Sequence, residues 1–146
     1  MKKLLLFVVL AVVLTVNLSA QDHETAVKDV VLSAYVNGIH NGGPIADIRA
    51  GFHPTFQMFR LNGNEIGVTT IDQWVAGIEA GRERNPNGPA VKSEANFVSV
   101  TVSGYSANVV LEVTRNGNII FTDHLLLYQF EDGWKIVAKT FYSHPR

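Results

Sequence analysis

The chain has 146 residues, no cysteine and a formal charge of −1, with 12 basic and 13 acidic side chains. That length suits one domain with a core of its own. The lack of cysteine excludes a disulfide framework and a thiol nucleophile, and basic residues scattered without a stripe exclude the electrostatic footprint of a nucleic-acid binder.

The first residues run in a telling order: Lys2 and Lys3, an apolar run from Leu4 to Leu14, then small Ser19 and Ala20. Charged start, apolar middle and small-residue end are the marks of a secretory signal peptide. The alternative, an uncleaved anchor, needs about 20 apolar residues to span a bilayer, and this run is shorter. Cleavage is expected after Ala20, with residues 1–20 the signal peptide and 21–146 a single domain, periplasmic or secreted and free of the membrane. Without Lys2 and Lys3, ten basic residues face thirteen acidic ones, a formal charge of −3.

A helix comes next. Val27, Val30, Val31, Ala34, Tyr35 and Ile39 repeat at helical spacing and predict one buried face. Asn41-Gly42-Gly43 stops it. Pro44 suits the first position of a second, shorter helix with Ile45, Ile48 and Phe52 on its face. Pro54 biases His53 away from helical angles, so that helix ends at Phe52-His53-Pro54. Phe56, Met58, Phe59 and Leu61 predict a strand, Asn62 to Asn64 a turn, and Ile66 to Val68 a short return strand. Thr70 and Gln73 have capping-box spacing and open a third helix faced by Ile71, Trp74, Val75 and Ile78. Asn85 to Pro89 is a loop by composition.

From Val91 onward the period changes to two. Four long strands are expected, joined at Ser103 to Ser106, Arg115 to Asn118 and Glu131 to Gly133. Asn116-Gly117 is a strong hairpin signal because both residues tolerate positive φ. Successive hairpins predict an antiparallel meander, and helices segregated from an antiparallel sheet define an α+β class. The last strand is apolar on both faces, with Trp134, Ile136 and Ala138 on one and Val137 and Phe141 on the other. Helices cover one face, and a second subunit is the expected cover for the other, making a homodimer.

This order of elements resembles the nuclear transport factor 2-like superfamily, which includes ketosteroid isomerase, scytalone dehydratase and SnoaL-like cyclases. Within it the chain is most similar to the group named for putative lumazine binding. The likeness rests on Tyr35 with Gly38, on Phe52-His53-Pro54, on Asp123 with Leu125 and Leu127, and on Trp134 through Phe141, and it spans about residues 24 to 144. Ala138 departs from it, standing where relatives carry Asn. The resemblance implies a cone-shaped fold, three N-terminal helices packed on a curled antiparallel sheet. It also implies a cavity walled by the first helix, the Phe52-His53-Pro54 turn, the third helix and alternate residues of the last strands, a natural small-molecule site.

His53, Asp123 and Lys139 are the candidates for catalysis. His53 could donate a hydrogen bond or act as a base near neutral pH; equally, it could satisfy backbone groups at the helix end. Asp123, His124 and Lys139 interrupt the last two strands, and strand parity decides which share a face. A two- or four-residue turn puts His124 beside Lys139; a three-residue turn puts Asp123 there. An Asp–Lys pair that only ties the strands together is the plainer alternative to a base. Ketosteroid isomerase's catalytic Asp has no match here. Expected ligand contacts are Tyr35, His53, Phe56, Trp74, His124, Tyr128, Lys139 and Phe141, with Trp134 in the core. No metal set arises from His23, His40, His53, His124 and His144, and no cofactor motif, phosphate loop or nucleophile elbow occurs. Three functions follow: a domain binding a small apolar or aromatic ligand, an acid–base enzyme of isomerase, dehydratase or cyclase type acting on a hydrophobic ring, or a structural dimerisation module.

Overall fold

The computed structural model describes residues 21–145; the expected signal peptide and its cleavage point, and Arg146, lie outside the described residues. The first helix, α1, covers residues 21–40. Its second half, Val31–His40, is wound as a π helix, so backbone bonds there reach five residues instead of four. A second helix, α2, spans Ile45–Gly51. Pro44 is its cap, one place earlier than expected, and the Pro44 carbonyl accepts from the amides of Asp47 (3.2 Å) and Ile48 (3.4 Å). α2 crosses α1 so closely that a Cβ on Gly51 would stand 2.2 Å from the Ala34 Cβ.

The first strand, β1, runs Phe52–Asn62 and returns as β2, Glu65–Thr70. It starts four residues before the expected Phe56, since Phe52 leaves the helix in an extended conformation (φ −102°, ψ 136°). The third helix, α3, spans Ile71–Arg84, and both capping-box bonds between Thr70 and Gln73 are made, at 3.3 and 3.0 Å. At its far end the Arg82 guanidinium donates to the carbonyls of Gly38 (3.1 Å) and Gly43 (2.6 Å), pinning α3 to the last turn of α1 and to the link that follows it.

Four long strands follow: β3 (Glu94–Ser103), β4 (Ser106–Arg115), β5 (Asn118–Phe130) and β6 (Gly133–Ser143). Asn116 (φ 52°) and Gly117 (φ 75°) turn the β4–β5 hairpin at positive φ, as their sequence predicts. The antiparallel expectation needs correction. The strand order is β2-β1-β6-β5-β4-β3 in one six-stranded sheet, and β1 pairs with β6 in parallel. The small hairpin is therefore an extension of the meander, joined to its last strand, and the sheet is mixed.

The core lies between the helices and one sheet face. Val31, Ala34, Tyr35, Ile48, Phe52, Phe56, Ile71 and Val75 meet Val109, Leu111, Val113, Leu125, Leu127 and Ile136, all buried. The faces of β6 also differ from expectation. Leu127 pairs with Ile136 but Leu126 with Ala138, so Val137 is left over as a one-residue bulge. Beyond a bulge the alternation inverts. Trp134 and Ile136 face the core before it, and Lys139 and Phe141 take that side after it, while Ala138 pairs with the outward Leu126. Among the described residues no helix is long and apolar enough to cross a membrane.

Candidate functional site

The Val137 bulge decides which charges meet. The β5–β6 turn holds two residues, Glu131 and Asp132. By simple parity that would set His124 beside Lys139. The extra residue shifts the register, so Lys139 lies opposite Leu125, on the face of Asp123. His124 pairs with Thr140 and points outward.

The Lys139 ammonium donates to Asp123 Oδ1 at 2.6 Å and also to the Tyr35 hydroxyl. Tyr35 in turn donates to Asp123 Oδ2 at 2.6 Å. Tyr35 and Asp123 are 0% exposed and Lys139 3%. A charge taken so far from water is tolerated only with its partner and its hydrogen bonds in place. Burial pushes the Tyr35 hydroxyl well above its ordinary pKa, and the Asp123 charge adds to it. Lys139 is pulled from 10.5 to about 8, by burial above all and then by repulsion from Arg60, against the attraction of Asp123. Both carboxylate oxygens of Asp123 are engaged, which leaves neither free as a base.

Four rings surround the ammonium, their centroids 4.5 Å (Tyr35), 4.8 Å (Phe141), 5.7 Å (Phe121) and 5.8 Å (Trp74) from Nζ. Such distances are those of cation–π contact. Lys139 and these rings line a pocket of about 800 Å³ between α1, α3 and strands β1, β5 and β6. Ile39, Met58 and Ile78 add apolar wall, and Arg60, Leu61, Tyr142 and Ser143 also line it.

Of the expected ligand contacts, Tyr35, Trp74, Lys139 and Phe141 come together in this pocket. Phe56 stands behind it, fully buried and stacked on Trp74 at 6.0 Å. The other three are placed elsewhere, which corrects the expected wall. Tyr128 pairs with Lys135 and, like His124, faces outward because it alternates with the inward Leu125 and Leu127. His53 is held at the end of α2: its Nδ1 accepts from the Thr55 amide at 3.2 Å, and its ring stacks on Phe130 at 4.7 Å. This is the local backbone service that a residue at a helix break performs.

Residues not singled out from sequence also line the pocket. His40 is one, its ring centroid 4.8 Å from that of Tyr35 and its Nε2 without a hydrogen-bond partner. The two are five residues apart, a spacing that a π turn brings to one side and an α turn does not. His40 is pulled from 6.5 to about 3, first by burial and then by the charges of Lys139 and Arg115. Phe121 and Arg60 were within reach of the sequence, since Phe121 alternates with Asp123 and Leu125, and Arg60 with Phe56 and Met58. Among the described residues no group of three or more His, Asp or Glu side chains converges as a metal site.

Three helices on a six-stranded mixed sheet, with a lined concavity between them, are the nuclear transport factor 2-like fold. The chain belongs to the family described as "Putative lumazine-binding", whose model matches residues 22–142. A nuclear transport factor 2-like protein of unknown function from Silicibacter pomeroyi DSS-3 is similar at 22% identity, over 85% of this chain and 98% of that one, with a TM-score of 0.69. Another such protein, from Shewanella baltica OS155, is 20% identical over 84% of this chain and 94% of its own, with a TM-score of 0.64. A third, from Methylobacillus flagellatus KT, is 22% identical over 85% and 94%, with a TM-score of 0.62. At these identities the likeness is one of fold. No curated protein matches the chain.

Proposed function

We propose that the protein is an exported small-molecule-binding domain whose site is the pocket over Tyr35, Asp123 and Lys139, and that its ligand is planar and apolar or aromatic. The observation that carries this reading is the convergence of four rings on one ammonium in the pocket lining. The volume of about 800 Å³ falls in the range of ordinary ligand sites, and the family's description points to a small ligand. Truncating an aromatic wall should cost on the order of 1–3 kcal/mol of binding. Trp74→Ala is therefore expected to weaken a planar bicyclic probe, 2-naphthoate, about tenfold in calorimetry. Tyr128→Ala, on the outer face, should leave it unchanged. Equal affinities in wild type and Trp74→Ala would remove the pocket as the site and leave the structural-module reading.

One observation favours the alternative, an acid–base enzyme: Lys139 stands on the wall with a proton that leaves near pH 8. A binder returns its ligand unchanged. Mass spectrometry of a ring compound after incubation distinguishes the two, and conversion that is lost in Lys139→Arg would establish the enzyme.

Export and pairing belong to the same reading. The outer sheet face exposes Leu126 (48%) and Tyr128 (52%) beside Ala138, an apolar strip suited to a second copy. Mature protein should begin at Gln21 and sediment as a dimer at micromolar concentration. A monomer, or an intact N-terminus, would contradict the respective half.

A further inference from the structure

Arg60 lies at the rim of the pocket, its guanidinium carbon 5.5 Å from the centroid of the Phe141 ring. It has no ion-pair partner among the described residues. Lys139 faces the same space, and Arg60 is near enough to oppose the Lys139 charge. The two cations differ in one respect. Asp123 answers Lys139 from behind, while nothing answers Arg60. Asp123 itself is sealed beneath Tyr35 and Lys139, and among the described residues no Asp or Glu lines the pocket. His40, also on the wall, stays uncharged because burial and the charges of Lys139 and Arg115 all oppose a further cation. Its Nε2 has no hydrogen-bond partner. Arg60, Lys139 and the sealed Asp123 together carry a formal charge of +1, beside a space walled mostly by rings and apolar side chains. Like charges that share a partly dry concavity raise each other's energy, and an anion between them lowers it.

We propose that this pocket takes a planar aromatic acid, its ring among Trp74, Tyr35 and Phe141 and its acidic group at the rim with Arg60. A polar atom on the inner ring edge meets His40 Nε2. The inference rests on the pocket being a small-molecule site and adds the charge of what it holds. Guanidinium and carboxylate pair in a planar, two-pronged geometry, which suits an acid carried in the plane of a ring.

The test is a matched pair of probes, 2-naphthoate and its neutral amide 2-naphthamide, titrated by calorimetry into the full mature chain. A rim charge in contact with water contributes modestly, so wild type should prefer the acid roughly threefold to tenfold. Added salt should shrink that preference. Arg60→Gln should abolish it with little effect on the amide, and Arg60→Lys should keep most of it. Arg60 is exposed, so neither substitution removes core packing. Equal affinity of wild type for the two probes, or a preference that survives Arg60→Gln, overturns the inference and leaves the pocket a binding site. If wild type binds neither probe, the binding-site reading falls and the inference falls with it.

Discussion

Lys139→Met is expected to destabilise the protein by about 3–5 kcal/mol, because it leaves the Asp123 charge buried without its counterion. Tyr35 would still donate one hydrogen bond to the carboxylate, but a neutral donor does not replace an ammonium. Removing both charges should recover much of the loss. In Asp123→Asn with Lys139→Met the amide still accepts from Tyr35, and no charge is left in the core. A double-mutant cycle read by urea unfolding gives the coupling directly. The surface ion pair of Arg49 with Asp72 makes the contrast, its side chains 45% and 75% exposed. There Asp72→Asn should cost well under about 1 kcal/mol, since water already solvates both groups. A Lys139→Met variant as stable as wild type would mean that the buried triad does not hold the strands together.

Acidification is expected to remove stability through His40. In the folded protein its imidazole is held from its ordinary 6.5 to about 3. Below about pH 6.5 the unfolded chain therefore takes up a proton that the folded chain refuses. His40's contribution is therefore complete above 6.5 and is lost as pH falls toward 3. Across the whole window the ceiling is about 5 kcal/mol, and between pH 7 and pH 4 the loss should be about 3 kcal/mol. Lys139 plays no part in that slope, because its window lies between about 8 and 10.5. His40→Gln cannot take up the proton in either state. Its unfolding free energy, measured in urea at pH 7 and pH 4, should fall less than wild type by that amount. The same slope in both proteins would mean that His40 is hydrated in the folded state and assign acid sensitivity to other groups.

Both effects come from the same few residues, and so does the proposed binding. Tyr35 and Lys139 belong to the buried triad and to the pocket wall at once. Substitutions there alter stability and binding together. Trp74 and Arg60 are better probes of binding, since Trp74 contributes a wall and Arg60 stands at the rim.

Helices, hairpins and caps were legible in the chain because each is a short-range matter. Thr70 and Gln73 cap α3 across three residues, Asn116-Gly117 turns on its own backbone preference, and the apolar face of α1 follows from spacing alone. The α+β class follows from the same local signals. The family was legible too, from the order of its small motifs.

The site was decided at longer range. Which of Asp123 and His124 meets Lys139 depends on strand parity, and parity depends on whether Val137 is paired or bulged. No residue type announces that, because a single unpaired residue is settled by how β6 fits β1 on one side and β5 on the other. The parallel pairing of β1 with β6 joins Phe52 to Ile136, 84 residues apart along the chain, and no local propensity encodes it. His40 entered the pocket through π winding, which the 3.6-residue period hides. Residue types and short-range geometry were thus set by the sequence itself. The shared face of Asp123 and Lys139, the outward turn of His124 and Tyr128, and the inward place of His40 were set by tertiary packing, because each depends on the register of elements far apart in the chain.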